Sequence, residues 1–241
     1  MSALKLAKMQ FVEKNSFNLR AAVYSLKKDS TALEFVIFPM IHVGSREYYQ
    51  EITRRLSTCD LLLVEGLRSK KATILTLSYR FIKQIRRMDL ITQYEGIRLD
   101  QFRNEIRNTD LEKNAFDERW SSLPIALRLQ LFIFVPFCVL YLFLFGTRET
   151  LAENLALEDL PSSDEDLFED ETPSRLDSLL VDERDRRLLE HIASVNDERA
   201  QTSQRIGVLY GAFHMRNVMP FLMKKLNYRV VKADWVKVFD L

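Results

Sequence analysis

The segment Pro39-Met40-Ile41-His42-Val43-Gly44-Ser45 follows an apolar, β-branched run, and the segment Gly211-Ala212-Phe213-His214-Met215 does the same near the end of the chain. Each preceding run is typical of a buried strand, and each segment leads into a helical pattern. Strand-to-helix turns of an α/β sheet gather at one edge, where residues distant in sequence can meet. We therefore expect His42 and His214 to lie close together.

The remaining patterns alternate between strands and helices. Two strand patterns separated by a polar turn predict an N-terminal hairpin, and Ser45 is a suitable helix N-cap. In chain order we predict strands at 17–26 and 33–38, a helix at 45–56, a strand at 60–66, a helix at 70–88 and a helical region at 99–120 with a turn near 108–110. A helix at 181–199, a strand at 205–210, a helix at 218–226 and one or two strands within 228–239 follow. This order predicts an α/β fold with a mixed, largely parallel sheet flanked by helices and an inserted apolar helical segment.

Composition narrows the classes of function and location. The 35 basic and 34 acidic side chains leave a net charge of +1, so no basic field is available to bind nucleic acid, and we expect none as a partner. The six glycines form no phosphate-binding loop. Cys59 and Cys138 show no paired spacing, which favours a reduced compartment. The first 20 residues lack an apolar core, so we predict no signal peptide and a cytoplasmic body.

Two further side chains are candidates for a polar site. Glu65 ends the apolar strand pattern at 60–66, and Arg184 lies in Glu183-Arg184-Asp185. Imidazoles and a carboxylate are common ligands of hydrolytic metal sites, and either can also move protons. Each residue has an ordinary alternative: a structural histidine, a helix-capping glutamate or an arginine on a solvated face. The delivery of a catalytic type of side chain by three separate strand ends favours a site.

Four short motifs occur in a fixed order: Ile41-His42-Val43-Gly44-Ser45, Leu62-Leu63-Val64-Glu65-Gly66, Glu183-Arg184-Asp185 and Gly211-Ala212-Phe213-His214. Over roughly residues 17–239 this order resembles the TraB/PrgY/GumN family, which includes the Tiki proteins. The resemblance implies an α/β sheet related to that of the erythromycin-esterase and ChaN proteins.

The resemblance also implies a function. His42, Glu65 and His214 would be catalytic and metal-binding, Arg184 would be a catalytic basic partner, and Gly211 and Asp110 would be binding residues. Tiki members are described as metal-dependent proteases. We therefore expect a divalent metal ion (manganese, cobalt or zinc) and a hydrolase, a peptidase acting on peptides or proteins at a membrane.

Two other functions stay open. Bacterial relatives dampen peptide pheromone signals, so the alternative is a non-catalytic, membrane-associated regulator that binds a peptide or another ligand. Pro39 stands where the family has glycine, and this favours the alternative, because proline fixes φ and removes an N–H. Haem capture, as in ChaN-like relatives, rests on analogy of fold alone.

The apolar run Leu123–Phe145 separates the two halves of the expected site. As a helix it would be about 34 Å long, enough to cross a bilayer, although Pro136 would kink it. A single crossing would place His42 and His214 on opposite sides of a membrane. We therefore expect a re-entrant hairpin, an interfacial helix or a homodimer contact, with a buried core helix as the alternative. The resulting division is 1–122 and 181–241 for one α/β domain, 123–146 for the apolar insert and 147–180 for an acidic, water-facing loop.

Overall fold

The computed structural model describes residues 9–66, 88–110, 113–156 and 182–241. Residues 70–87 of the helix that we predict at 70–88, and most of the acidic region 147–180, lie outside the described residues. The described parts form a mixed α/β fold with a largely parallel sheet flanked by helices, as the sequence predicts.

The sheet in the described residues has seven strands, and the four at one end of it, from the middle to one edge, are parallel. From one side to the other these four are β3, β8, β5 and β7, so β8 lies between two strands that precede it in the chain. The strands of the sheet are β1 (Val12–Lys14), β2 (Asn18–Lys27), β3 (Glu34–Met40), β5 (Leu61–Val64), β7 (Glu105–Asn108), β8 (Arg205–Gly211) and β9 (Arg229–Asp240). Two short strands, β4 (Val43–Gly44) and β6 (Ile91–Thr92), pair separately.

The outer strands pair antiparallel around β2. One edge of β2 pairs with β9 from Asn18 to Lys27. Its other edge is shared, because β1 pairs with residues 19–21 and β3 with residues 24–27. The predicted hairpin of β2 and β3 is confirmed, and the C-terminal region forms one long strand.

Helices flank the sheet. Helix α1 begins after Ser45, whose side chain accepts a hydrogen bond from the Tyr48 amide at 3.1 Å, so the predicted N-cap is confirmed. The described helices are α1 (Arg46–Leu56), α2 (Gln93–Gly96), α3 (Lys113–Ser122), α4 (Ile125–Phe145), α5 (Arg148–Leu155), α6 (Glu183–Glu198) and α7 (Met215–Pro220), with a π-helical turn at Phe221–Lys225.

The core lies between the central strands and the helices. All four side chains of β5 are buried, as expected for an apolar strand inside a parallel sheet. Helix α6 buries Leu188, Ile192 and Val195. Burying each side chain of this size contributes about 1.5–3 kcal/mol before the cost of ordering the chain.

The predicted helix at 99–120 is wrong over much of its length. Residues 105–108 form β7, which pairs in parallel with β5 at the edge of the sheet, and a regular α-helix begins only at Lys113. Glu105 and Arg107 are tolerated there because an edge strand exposes much of its surface to water. Their charges make the local pattern typical of a surface helix, whereas the backbone pairing with β5 is a long-range effect that no local pattern reveals.

Two smaller boundaries also differ. The helix predicted from 218 begins at Met215, directly after the second histidine. Residues 148–155, which we assigned to the acidic loop, form α5. Thr147 caps this helix by accepting from the Thr150 amide at 3.1 Å, and Leu151 and Ala152 are buried. The charged residues of this region made it look like a solvated loop, but burial of these two apolar side chains stabilises a helix.

Helix α4 covers most of the apolar run and contains Pro136. Many of its large apolar side chains are exposed, including Ile133 at 73%, Phe134 at 62% and Phe137 at 64%. Among the helices in the described ranges, none combines the length and the apolar character that crossing a bilayer would require.

Candidate active site

The order of the parallel strands brings four chain segments to one edge. Met40 at the end of β3 pairs with Gly211 at the end of β8, and the Glu65 amide donates to the Leu209 carbonyl of β8 at 3.1 Å. On the other side of β5, Val64 pairs with Asn108, two residues before Asp110. Segments that are far apart in sequence therefore end side by side, with β8 in the middle.

Gly211 lies at the centre of this edge. A methyl group added at its α-carbon would lie 3.2 Å from Glu65 Oε2, 3.4 Å from His214 Cδ2 and 3.8 Å from His42 Nε2. The two imidazoles and the carboxylate thus surround one small space that a side chain would fill. Their predicted convergence is confirmed. The backbone at Gly211 has a φ of −50°, so space rather than φ requires glycine here.

Arg184 joins two carboxylates beneath this space. Its Nε and one terminal nitrogen donate to the two oxygens of Asp110 at 2.8 and 2.9 Å, and the same terminal nitrogen donates to Glu65 Oε1. Glu65 Oε2 accepts from the Gly211 amide at 2.8 Å. Arg184 is only 8% exposed, so its alternative as part of a solvated charged face is wrong.

These contacts determine the charge state of Glu65. Burial alone would raise its pKa, but the positive charge of Arg184, followed by those of His42 and His214 when protonated, lowers the pKa to about 2. For Arg184, burial acts to lower the pKa, and the charges of Glu65 and Asp110 raise it well above its ordinary value. Glu65 is therefore ionised at neutral pH and is held by a permanent cation.

His214 is oriented by Asp185. Its Nδ1 lies 2.5 Å from Asp185 Oδ1, and the Asn217 side-chain amide donates to Asp185 Oδ2 at 2.5 Å. Both members of the pair are buried. Because a carboxylate only accepts hydrogen bonds, Nδ1 of His214 carries the hydrogen. In the neutral tautomer Nε2 then has a free lone pair. Asp185 follows Arg184 on α6, so one helix start positions both His214 and Glu65.

His42 is oriented by a different segment. Its Nδ1 lies 2.9 Å from the side-chain oxygen Oε1 of Gln93. The backbone amide of Gln93 donates to the backbone carbonyl of His42 at 2.9 Å. The pairing of β4 with β6 holds these two segments together. Tyr49 adds a hydrogen bond from its hydroxyl to the Ile41 carbonyl at 2.9 Å. The ring is therefore fixed through Nδ1, with Nε2 toward Gly211.

Three residues at the site were missed by sequence reasoning: Gln93, Asp185 and Tyr210. Asp185 is part of the quoted Glu183-Arg184-Asp185 motif, so the signal for it was present. Tyr210 directly precedes Gly211, is fully buried, and packs its ring edge-to-face against His214 at 4.9 Å between centroids. Gln93 carries no local signal, because only the fold brings it to His42.

Pro39 leaves the pairing of β3 intact. The Glu34 backbone amide donates to the Gln204 carbonyl at 2.9 Å, on the side of β8. Amides alternate in direction along a strand, so every second residue of β3 counted from Glu34 directs its amide to β8. The nitrogen of Pro39 therefore faces β2, which pairs with β3 only as far as Ile37. No ladder hydrogen bond is lost at this position.

The residues that meet here have the chemistry of a metal site, although not its full geometry. The site holds three carboxylates, those of Glu65, Asp110 and Asp185, and one guanidinium, that of Arg184. The negative charges remain in excess when Arg187, which donates to the Asp110 carbonyl at 3.4 Å, is counted. A divalent cation or protonated imidazoles would balance that excess. Histidines held through Nδ1 by an acceptor are typical of metal ligands. Within the described residues, no three His, Cys, Asp or Glu side chains are already arranged to hold an ion.

No protein-family model, curated protein or solved structure that was compared with this chain matches it.

Proposed function

We propose that the chain is a TraB-like, metal-dependent hydrolase, a peptidase that acts on peptides or proteins. The observation that supports this most is the convergence of His42, Glu65 and His214 around the open space at Gly211. The order of the four motifs, which resembles the TraB/PrgY/GumN family, adds the reaction class.

His42 and His214 would hold the ion through Nε2, and Glu65 would be the third ligand. A carboxylate has about four lone-pair sites, so the two N–H groups that Glu65 accepts leave capacity for an ion. Imidazole and carboxylate donors suit zinc, cobalt and manganese. Such an ion lowers the pKa of a bound water to about 7, which makes a nucleophile available at neutral pH.

The side chains around these ligands have separate roles. Glu65, with a pKa of about 2, is a weak general base, so it acts through its charge and as a ligand. Asp185 fixes the ring of His214, and Gln93 fixes the ring of His42. Asp110 holds Arg184, which positions Glu65 and adds a positive charge near an oxygen that becomes negative.

Metal content and peptide hydrolysis test the proposal together. The wild-type chain, loaded separately with manganese, cobalt or zinc, is expected to retain about one ion by mass spectrometry and to cleave a quenched-fluorescent peptide library. His214→Ala and His42→Ala are expected to lose both properties. His191→Ala is the matched control, because it removes the one histidine outside the site. Equal metal content in His214→Ala and the wild type, or no metal in either, would remove the metal role.

A non-catalytic regulator that binds a peptide is the second candidate. Two observations favour it: Pro39 in the place of the family glycine, and the engagement of both Glu65 oxygens by N–H donors. This function predicts no turnover with any of the three metals, but saturable peptide binding that Glu65→Gln weakens. Turnover that Glu65→Gln abolishes would exclude it.

For location, we propose a cytoplasmic body that attaches to a membrane surface, or to a second copy of itself, through residues 123–146. The exposed apolar side chains of α4 support this, because exposed apolar patches often mark sites that bind a membrane or another protein. Flotation with lipid vesicles and light scattering without lipid distinguish the two. A monomer that stays in the vesicle-free fraction would exclude both.

A further inference from the structure

The hydroxyl group of Tyr210 is a hydrogen-bonding group that the fold does not use. The whole residue is buried, and its Oη has no hydrogen-bond partner among the described residues. Buried hydroxyl groups are nearly always paired with protein or ordered water, so an unpaired one requires an explanation. Burial without a partner is also unfavourable, since the group loses its bonds to water.

The surroundings of Tyr210 are those of the candidate active site. Its ring lies edge-to-face against the imidazole of His214, and the guanidinium carbon of Arg184 lies 5.8 Å from the ring centroid. The ordinary pKa of a tyrosine is about 10, so the phenol carries its proton at neutral pH and can donate a hydrogen bond.

The other donors of the site have acceptors within the protein. Arg184 donates to Asp110 and Glu65, and the Gly211 amide donates to Glu65. The imidazole Nδ1 atoms face Asp185 and Gln93. Among the donors named here, the Tyr210 hydroxyl is the one without an acceptor in the described part of the site.

We propose that Tyr210 is a catalytic residue that donates a hydrogen bond to the carbonyl oxygen of a bound peptide. This inference rests on the proposed hydrolase function. A water oxygen bonds to the carbonyl carbon, and the C=O π pair moves to the carbonyl oxygen, where the phenol hydrogen bond stabilises the negative charge. The pair then returns as the C–N bond breaks, and the leaving nitrogen takes the proton that water lost. Tyr210 keeps its own proton throughout.

The test is Tyr210→Phe, with Tyr228→Phe as the matched control. Removing one oxyanion donor lowers kcat by about 10²-fold or more, so Tyr210→Phe is expected to lose about that factor with little change in KM. Its urea midpoint of unfolding should equal or exceed the wild-type value, because no protein hydrogen bond is lost. Tyr228 is also buried, but its hydroxyl bonds to Asn196 Oδ1 at 3.1 Å. Tyr228→Phe should therefore lower the urea midpoint and leave kcat unchanged.

A phosphinic peptide, which resembles the tetrahedral species, gives a second measurement. Tyr210→Phe should weaken its binding by the same factor by which kcat/KM falls. A purely structural hydroxyl would instead lower the urea midpoint and leave both kcat and inhibitor affinity unchanged, which overturns the inference. If the wild type turns over peptide and Tyr210→Phe does so equally fast, the role of Tyr210 is overturned and the proposed hydrolase function stands. Absence of wild-type turnover removes the proposed function, and this inference with it.

Discussion

The carboxyl edge of the sheet and helix α4 place their side chains in opposite ways. At the edge, Asp110, Arg184, Asp185 and His214 are buried, whereas α4 exposes large apolar residues such as Phe137. Buried ion pairs often add little net stability, because the cost of removing charges from water offsets their attraction. Apolar side chains that stay exposed to water add no stability to an isolated fold. The stability of the fold alone therefore explains neither region: the edge holds its charged side chains in fixed hydrogen bonds with a negative excess, and α4 leaves large apolar side chains in contact with water.

The largest expected effect comes from removing the guanidinium. Arg184→Ala leaves Asp110 and Glu65 buried without their common cation, and we expect a loss of about 3–5 kcal/mol in the free energy of unfolding. Arg186→Ala, two residues further along the same helix, removes an exposed arginine that pairs with Glu190 and Glu183, and should cost about 0.5 kcal/mol or less. Urea denaturation of both variants measures the difference. Similar losses would mean that the buried network is solvated like the surface.

The pH dependence of stability distinguishes buried from exposed carboxylates. The pKa of Glu65 is lowered from 4.5 to about 2, so its contribution is present above about pH 4.5 and disappears as the pH falls toward 2. This contribution is on the order of 3 kcal/mol. Urea denaturation at pH 7 and at pH 2 measures this contribution. The wild type should lose it at pH 2, and Glu65→Gln should show no such pH-dependent loss.

Glu51 on α1 is the control for that experiment. The hydrogen bond from Arg54 is the main cause that lowers its pKa, also to about 2, but the side chain lies near the surface. Salt screens exposed charges far more than buried ones. In 1 M NaCl the acid sensitivity removed by Glu51→Gln should vanish, while that removed by Glu65→Gln persists. Equal screening of the two would contradict the burial of Glu65.

A smaller effect tests the space at Gly211. Gly211→Ala adds a methyl group 3.2 Å from Glu65 Oε2 and 3.4 Å from His214 Cδ2, contacts that require small shifts of both side chains. Overpacking of this kind costs about 1–3 kcal/mol. We expect a folded variant that has lost metal and peptide binding, measured by mass spectrometry and titration. Retained binding would show that the space is not where ligands enter.

The sequence predicted most of the sheet and the centre of the site, because both depend on short patterns. The runs before His42, Gly66 and Gly211 are apolar over the length of a strand, and equivalent strand ends must meet at one edge. Residues whose placement depends on distant partners were not predicted. β7 looks helical until β5 pairs with it, and Gln93 reaches His42 only through the pairing of β4 with β6.

The final prediction concerns the exposed face of α4. In Phe134→Glu/Phe137→Glu, two side chains that are 62% and 64% exposed become charged, so the free energy of unfolding should change by about 0.5 kcal/mol or less per site. Flotation with vesicles, or dimerisation measured by light scattering, should be lost. Substituting the buried Leu188 of α6 with alanine gives the opposite pattern, a loss of about 2–5 kcal/mol with the association retained. If the glutamate variant instead unfolds at a much lower urea concentration, then α4 packs within the monomer, and the contrast between the two regions disappears.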